Sequence, residues 1–144
     1  MSRIKQIVFY IAIAVILNWL CIVLQSTEFL KYLRENILVL LITLLAINTA
    51  TISVVVAKLH EISTESFSFE RTVHEVKVSL LEQIILIAAG SIFLILYNSP
   101  IVRAKLTYHD SIFNTLFITV FVYAIDILRD TGVAIFEIIK FKKK

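Results

Sequence analysis

The sequence is poor in cysteine, proline and glycine, with one, one and two of these residues among its 144. A single cysteine excludes an intramolecular disulfide and any cysteine-pair metal site. Two isolated glycines leave the chain without a glycine-rich phosphate loop or a nucleophile elbow. Cys21 lies within an apolar run, where we expect a small packing residue. We therefore predict that the protein is not an enzyme and uses no cofactor.

Histidine is also scarce, and two His-Glu dipeptides, starting at His60 and His74, are the best candidates for metal ligands. They flank a central segment and would converge if that segment folds as a hairpin, and zinc accepts histidine and carboxylate ligands. Neither dipeptide forms the H-E-x-x-H pattern of a metalloprotease helix. His109 followed by Asp110 has the same weakness, so we predict no metal site.

Charged residues are absent from four long stretches of the sequence. This absence is more informative than the scarcity of cysteine, proline, glycine and histidine. The chain is 59% apolar with a mean hydropathy of +0.91. About 20 apolar residues span the hydrocarbon core as a helix, and unalternating runs of this length are helices rather than barrel strands. We predict an all-α polytopic membrane protein with one domain, residues 1–144, built as a four-helix bundle. The predicted spans are about 6–27, 36–57, 83–102 and 111–128.

The first and fourth runs differ from simple spans. The first follows Arg3 and Lys5, as a secretory signal would, but it is longer than a signal core, so we expect a retained span. The fourth reaches Asp126 after only 15 uncharged residues. Apolar residues resume after a short polar turn around Arg129, so this helix is expected to be short or tilted in the membrane and to continue beyond it.

Lysine and arginine are distributed unequally between the two sides of such a bundle. The side with both termini and the central connection, residues 58–82, would carry ten of the 14 basic residues. Basic residues in short loops favour the cytoplasm. We predict a multi-pass protein of the bacterial inner membrane with cytoplasmic N- and C-termini. Scattered basic residues without aromatic neighbours argue against nucleic-acid binding.

The central connection is the longest polar stretch and the best candidate for protein binding. Thr72 and Glu75 fit a capping box, and apolar residues then continue a helical stripe into the third span. We expect a helical cytoplasmic hairpin that extends the second and third helices. An alternative is a solvated loop without a partner. The candidate contact residues are Glu65, Glu70, Arg71, His74, Glu75 and Lys77.

Polar residues within the spans must be paired or must face water. They predict either helix packing or a pore-lining face, and the sequence leaves both open. Asp126 is the sharpest case, because an acidic residue at membrane depth suggests proton or cation handling, whereas Arg129 three positions later suggests an ion pair. The candidates are Asn18, Asn48, Thr51, Thr115, Thr119, Tyr123 and Asp126.

The connections on the opposite side and the C-terminal tail are short. Residues 28–35 have the pattern of a turn of helix lying at the interface. Pro100 is expected to end or kink the third helix, with Tyr97 and Tyr108 as interfacial anchors. The tail, residues 129–144, is apolar with a basic end that would contact anionic lipid headgroups. Its candidate lipid contacts are Lys140, Lys142, Lys143 and Lys144.

The chain length, the four runs, the helical segment 69–82 and the lysine-rich end resemble the small four-span membrane proteins of bacterial anti-phage defence systems, such as the membrane subunit of Kiwa. The resemblance covers most of the chain but contains no diagnostic motif, so it assigns no functional residue. It implies a homo-oligomer, with a tetramer favoured, that senses disturbance of the inner membrane and engages a cytosolic protein.

Two functions from different classes follow. The first is a non-enzymatic oligomeric sensor or scaffold that engages a cytosolic effector. The second is an ion channel or membrane-permeabilising pore. The first is favoured, because the candidate pore faces are sparse and lack a ring of charge. A third reading is an accessory subunit of a larger transporter.

Overall fold

The computed structural model describes residues 3–62 and 68–141, with side chains at positions 5–54, 56–57, 74 and 77–133. Five helices account for most of these residues, and no strand occurs among them. The predicted all-α class is therefore confirmed. The helices are α1 Arg3–Val23, α2 Glu28–Ile62, α3 Ser68–Tyr97, α4 Pro100–Lys105 and α5 His109–Phe141.

Four of these helices are long and apolar enough to cross a membrane, as the sequence predicts. Each candidate span overlaps one of the predicted spans. The fourth is a single uninterrupted helix through Arg129, because no proline or glycine-dependent turn breaks its hydrogen bonding. The candidate spans are Lys5–Val23, Glu28–Val54, Lys77–Tyr97 and His109–Val133.

A hydrogen-bonded turn ends α1 at Val23, before the predicted boundary at residue 27. Ser26 N donates to Cys21 O at 2.9 Å, and Gln25 N donates to Ile22 O at 3.1 Å. Gln25 has a φ of 51°. This is the Schellman arrangement, normally built on glycine. Glutamine there costs about 1–2 kcal/mol, and the local hydrogen bonds offset part of that cost.

Residues 28–35 form the first turns of α2 rather than a separate interfacial turn of helix. The reason is an apolar stripe that continues without a break into the span. Leu30, Leu33, Ile37 and Leu41 follow helical spacing and are between 0% and 5% exposed. Their burial extends the helix to Glu28, because the same face packs along its whole length.

Pro100 ends the third long helix, as predicted. α3 stops at Tyr97, and the short helix α4 begins with Pro100 at its first position. Proline has no backbone N–H and is favoured where a helix starts. The chain then reaches His109, where α5 begins antiparallel to α3.

The fifth helix lies at the centre of the bundle and packs against α1, α2 and α3. Phe117 and Ile118, at 1% and 0% exposure, mark the middle of the core. α1 packs principally against α5, so it is a peripheral helix. The buried apolar core comprises Ala14, Leu30, Leu33, Ile37, Leu41, Leu86, Phe113, Phe117, Ile118, Val120, Ala124 and Ile127.

A glycine permits the close approach of α2 and α3. A Cβ atom added at Gly90 would lie 3.1 Å from Leu41 Cδ1 and 3.8 Å from Leu38 Cδ2. Small residues at such contacts let helix backbones approach in a membrane, where dispersion rather than hydrophobic exclusion drives association. Gly90 therefore sets the distance between these two helices. Gly132 has no atom within 4 Å of the corresponding position.

Candidate functional site

Polar side chains at membrane depth are the only chemically distinctive feature of the described residues, and they form four clusters. We define the Asp126 cluster as Tyr10, Tyr123, Asp126 and Arg129. The Tyr10 hydroxyl donates to Asp126 Oδ2, and Arg129 Nη1 lies 2.8 Å from Asp126 Oδ1. The predicted pair between Asp126 and Arg129 is therefore present. The Tyr10 and Tyr123 rings stack with their centres 5.1 Å apart.

The two charged groups of this cluster differ in exposure. The Asp126 side chain is 13% exposed and the Arg129 side chain 66%. Arg129 also contacts Asp130, with Nη2 2.8 Å from Oδ1. Its long side chain can therefore reach water while it neutralises the more buried carboxylate. This arrangement makes an acidic group tolerable in a span, and it accounts for Asp126 without a transport role.

The Asn18 cluster joins α1 to α5 nearer their other ends. Asn18 Nδ2 donates to Ser111 Oγ at 2.9 Å and to Thr115 Oγ1 at 3.3 Å. Thr119 donates instead to the backbone oxygen of Thr115 at 2.7 Å. The predicted polar face of α5 thus meets α1 at Asn18 and again at Tyr10. In a single chain it is a helix-packing face.

A buried amide pair joins α2 to α3. Asn48 Nδ2 donates to Gln83 Oε1 at 2.9 Å and to Ser79 Oγ at 3.2 Å. Asn48 is 0% exposed and Gln83 2%. Asn48 Oδ1 and Gln83 Nε2 have no hydrogen-bond partner. Thr51, one turn further along α2, is half-buried.

The fourth cluster, which we call the Tyr97 cluster, comprises Arg34, Tyr97, His109 and Asp110. The Arg34 guanidinium donates to the Tyr97 hydroxyl. His109 is 5% exposed, its ring centre lies 5.0 Å from that of Tyr97, and its Nδ1 is 3.2 Å from Asp110 Oδ1. These contacts fasten α2, α3 and α5 at one end. Tyr97 is half-buried here, whereas Tyr108 is 74% exposed.

Sequence reasoning missed Gln83, Ser79 and Tyr10 as partners. Gln83 stands at the edge of an apolar run, where polar residues are common. Tyr10 is a tyrosine near the end of a span, and tyrosine is common at the membrane–water interface. The available signal for Gln83 was its position one helical turn after Ser79 on the stripe that enters the third span. No signal in the sequence connects Gln83 or Ser79 to Asn48.

The predicted partner-binding residues lie at the start of α3 or just before it. His74 and Lys77 are exposed. The backbone of α3 includes Glu70, Arg71 and Glu75, whose side chains lie outside the described positions, and Glu65 lies outside the described residues altogether.

The predicted lipid contacts are divided in the same way. Lys140 is in α5 without a described side chain, and residues 142–144 lie outside the described range. Within the described part of the chain, no group of three or more His, Cys, Asp or Glu side chains is placed to hold a metal ion.

Comparison with protein-family models, with curated proteins and with solved structures gives no match for this chain.

Proposed function

We propose that the protein is a non-enzymatic, oligomeric scaffold of the bacterial inner membrane that binds a cytosolic protein through the extension between its second and third spans. One observation carries this proposal. α2 continues past the end of its uncharged run at Ala57 to Ile62, and α3 begins at Ser68, before its uncharged run starts at Gln83. At 1.5 Å per residue, the two helices continue for roughly 7 and 22 Å beyond these runs.

The register of α2 and α3 supports a paired extension. Asn48 contacts Gln83, and Leu41 lies opposite Gly90, so antiparallel partners have residue numbers that sum to about 130. Continued along both helices, the same register would set Ile62 opposite Ser68. A paired projection of this kind presents a rigid surface, which costs less entropy on binding than a loop does.

The charge of the extension supports a basic partner surface. Residues 58–82 contain five glutamates, against two lysines and one arginine. Opposite charge on the partner would guide association and fix its orientation. Cytoplasmic placement of this segment follows from the excess of lysine and arginine on the same side.

The proposed oligomer uses an exposed face of α2. Five small residues recur on it at alternating spacings of three and four, which is the repeat of a left-handed helix pair. Small residues allow close helix contact in lipid. The polar face of α5 is less suited to this role, because α1 already packs on it. The face comprises Thr43, Ala46, Ala50, Ser53 and Ala57, all exposed in the single chain.

The architectural resemblance to four-span proteins of anti-phage defence is the basis for extending the proposal from scaffold to sensor and for favouring a tetramer. In that setting the bundle would respond to disturbance of the inner membrane and the extension would engage the effector. The four polar clusters supply no catalytic or ion-selective arrangement that competes with this role.

The first test is capture of a soluble partner by the affinity-tagged protein in mild detergent. We expect charge reversal at Glu70 and Glu75 to abolish capture and to leave the oligomer intact. The matched control reverses Glu28 and Glu35, two exposed glutamates at the opposite end of α2. Capture retained after reversal at Glu70 and Glu75, or lost equally in the control, would count against the proposal.

The second test addresses the oligomer. Ala50→Leu introduces a bulky side chain into the small-residue face and should shift the native mass to the monomer. Ala88→Leu makes the same change at an exposed position of α3 that is surrounded by large apolar residues. It should leave the mass unchanged. Equal behaviour of the two variants would exclude the α2 face as the contact between chains.

The second candidate function is a pore, which the polar face of α5 would line only if α1 no longer covered it. Purified protein in liposomes would then conduct ions. A tight bilayer under every tested stimulus would remove this candidate, whereas flux without a soluble partner would place it first.

A further inference from the structure

The polar side chains of α5 form one line along the helix, and α1 covers it. Their spacing of four, four, four and three residues places them on a single face. Asn18 contacts the line at Ser111 and Thr115, and Tyr10 contacts it at Tyr123 and Asp126. Ala14 lies between these two levels and is fully buried. The line consists of Ser111, Thr115, Thr119, Tyr123 and Asp126.

α1, the covering helix, makes few contacts with helices other than α5. α1 packs principally against α5, whereas α2 and α3 each pack against both α5 and one another. Most large apolar side chains of α1 face away from the bundle, among them Val15 at 51%, Ile16 at 57% and Trp19 at 60% exposure. In a bilayer these side chains contact lipid whether or not α1 is seated. Separation of α1 from α5 therefore gives up the apolar contacts of one helix pair and leaves the contacts among α2, α3 and α5 in place.

The contact between α1 and α5 leaves one buried polar atom without a hydrogen-bond partner, Asn18 Oδ1. A buried polar atom without a partner reduces the advantage of the closed arrangement. The connection from α1 to α2 is the short turn at Gln25, whose φ of 51° is a conformation that glutamine rarely adopts.

We propose that α1 is a releasable strap, and that its release exposes the polar line of α5 inside the membrane to water. The hydrogen bonds of Tyr10 and Asn18 are the two fastenings. Without α1, the hydroxyl groups and the Asp126 carboxylate would face hydrocarbon, which is unfavourable unless water or protein replaces the lost contacts. The proposal rests on membrane insertion and is independent of partner capture by the extension.

The test measures whether a thiol on the polar line becomes accessible to water. Thr119→Cys is introduced into protein carrying Cys21→Ser, and the purified protein is reconstituted in liposomes. A charged, membrane-impermeant methanethiosulfonate reagent then labels position 119. We expect slow labelling with the fastenings intact. Tyr10→Phe and Asn18→Leu should each raise the rate, and the double variant should raise it roughly tenfold, equivalent to about 1.4 kcal/mol of closing free energy.

Two controls separate release from general loosening. Ile125→Cys replaces a side chain that is 44% exposed on the lipid side of α5, and its labelling should stay slow in every variant. Tyr108→Phe removes a hydroxyl from a tyrosine that is 74% exposed, and it should leave labelling at position 119 unchanged.

Unchanged labelling at position 119 in the double variant would overturn the proposal, as would an equal rise at position 125. If Asn18→Leu impairs insertion, Tyr10→Phe alone tests the proposal. This substitution keeps the ring at position 10 stacked on Tyr123 and removes only the hydroxyl. A rate identical to that of the parent protein would then show that this contact does not fasten α1.

Discussion

Two helix contacts in this bundle hold polar groups of different kinds within the candidate spans. Asp126 lies in the span of α5, and Asn48 lies in the span of α2. The contact between α1 and α5 accepts a carboxylate, because Arg129 lies one turn nearer the span end and is 66% exposed. The contact between α2 and α3 holds only neutral amides, 0% and 2% exposed.

The difference shows that the neighbouring side chains influence which polar group a membrane helix can carry at a given position. A charge is tolerable where a long basic side chain can connect it to the surface. A neutral amide carries no charge to be neutralised, and it can therefore be enclosed completely, even with one polar atom of each partner left without a hydrogen bond. Substitutions that exchange these two kinds of group should separate the contacts most clearly.

The largest effect is expected from Asn48→Asp, which places a carboxylate in the amide pair where no basic side chain is described. We expect a loss of about 2 to 3 kcal/mol in the free energy of unfolding, the cost of an acidic residue at membrane depth. Asp126→Asn is the reverse exchange and should cost less than about 1 kcal/mol, because the Tyr10 hydroxyl can still donate to the new amide.

Unfolding of both variants by sodium dodecyl sulfate in mixed micelles, followed by circular dichroism, measures the two values. Equal losses for Asn48→Asp and Asp126→Asn would contradict the distinction between the two contacts. A larger loss of unfolding free energy for Asp126→Asn than for Asn48→Asp would reverse the distinction.

An intermediate effect is expected from Gln83→Leu. It leaves Asn48 buried with Ser79 as its one remaining side-chain partner, which should cost about 1 to 2 kcal/mol. The double variant Asn48→Leu with Gln83→Leu should recover part of the loss, because replacing both partners removes the unsatisfied groups. A double-mutant cycle in the same unfolding assay gives the coupling, and strict additivity would show that the amides do not act as a pair.

The smallest effects on the free energy of unfolding are expected from substitution of the two glycines. Gly132→Ala should raise the free energy of unfolding by about 0.5 to 1 kcal/mol, because alanine favours the helix and nothing lies near its Cβ position. Gly90→Ala should give no such gain, since its Cβ would press on Leu41. Thermal unfolding of both variants in detergent tests the contrast. Equal stabilisation would mean that α2 and α3 separate at no cost.

The sequence was sufficient for the features that depend on neighbours along the chain. The four spans follow from uncharged runs, the end of α3 follows from Pro100, and the pair between Asp126 and Arg129 follows from their spacing on one helix. The continuation of α2 back to Glu28 was missed, because charged residues interrupt its outer face while its inner face stays apolar.

The polar clusters could not be predicted because they depend on how helices meet. The hydrogen bond between Asn48 and Gln83 joins positions 35 residues apart, and the one between Tyr10 and Asp126 joins positions 116 apart. Every span carries small or polar residues at helical spacing, so composition allows several pairings. Only the packed position of α5 at the centre selects among them.

The same separation of 116 residues has a consequence for biosynthesis. α1 leaves the ribosome before α5, yet α1 packs principally against α5. At a synthesis rate of 5 to 20 residues per second, roughly 6 to 23 s pass between the appearance of Tyr10 and that of Asp126. Throughout that interval α1 must persist in the bilayer as a helix without its principal neighbour, which the local hydrogen bonds of its turn and its lipid-facing side chains allow. α1 can therefore complete its packing only after α5 has been made.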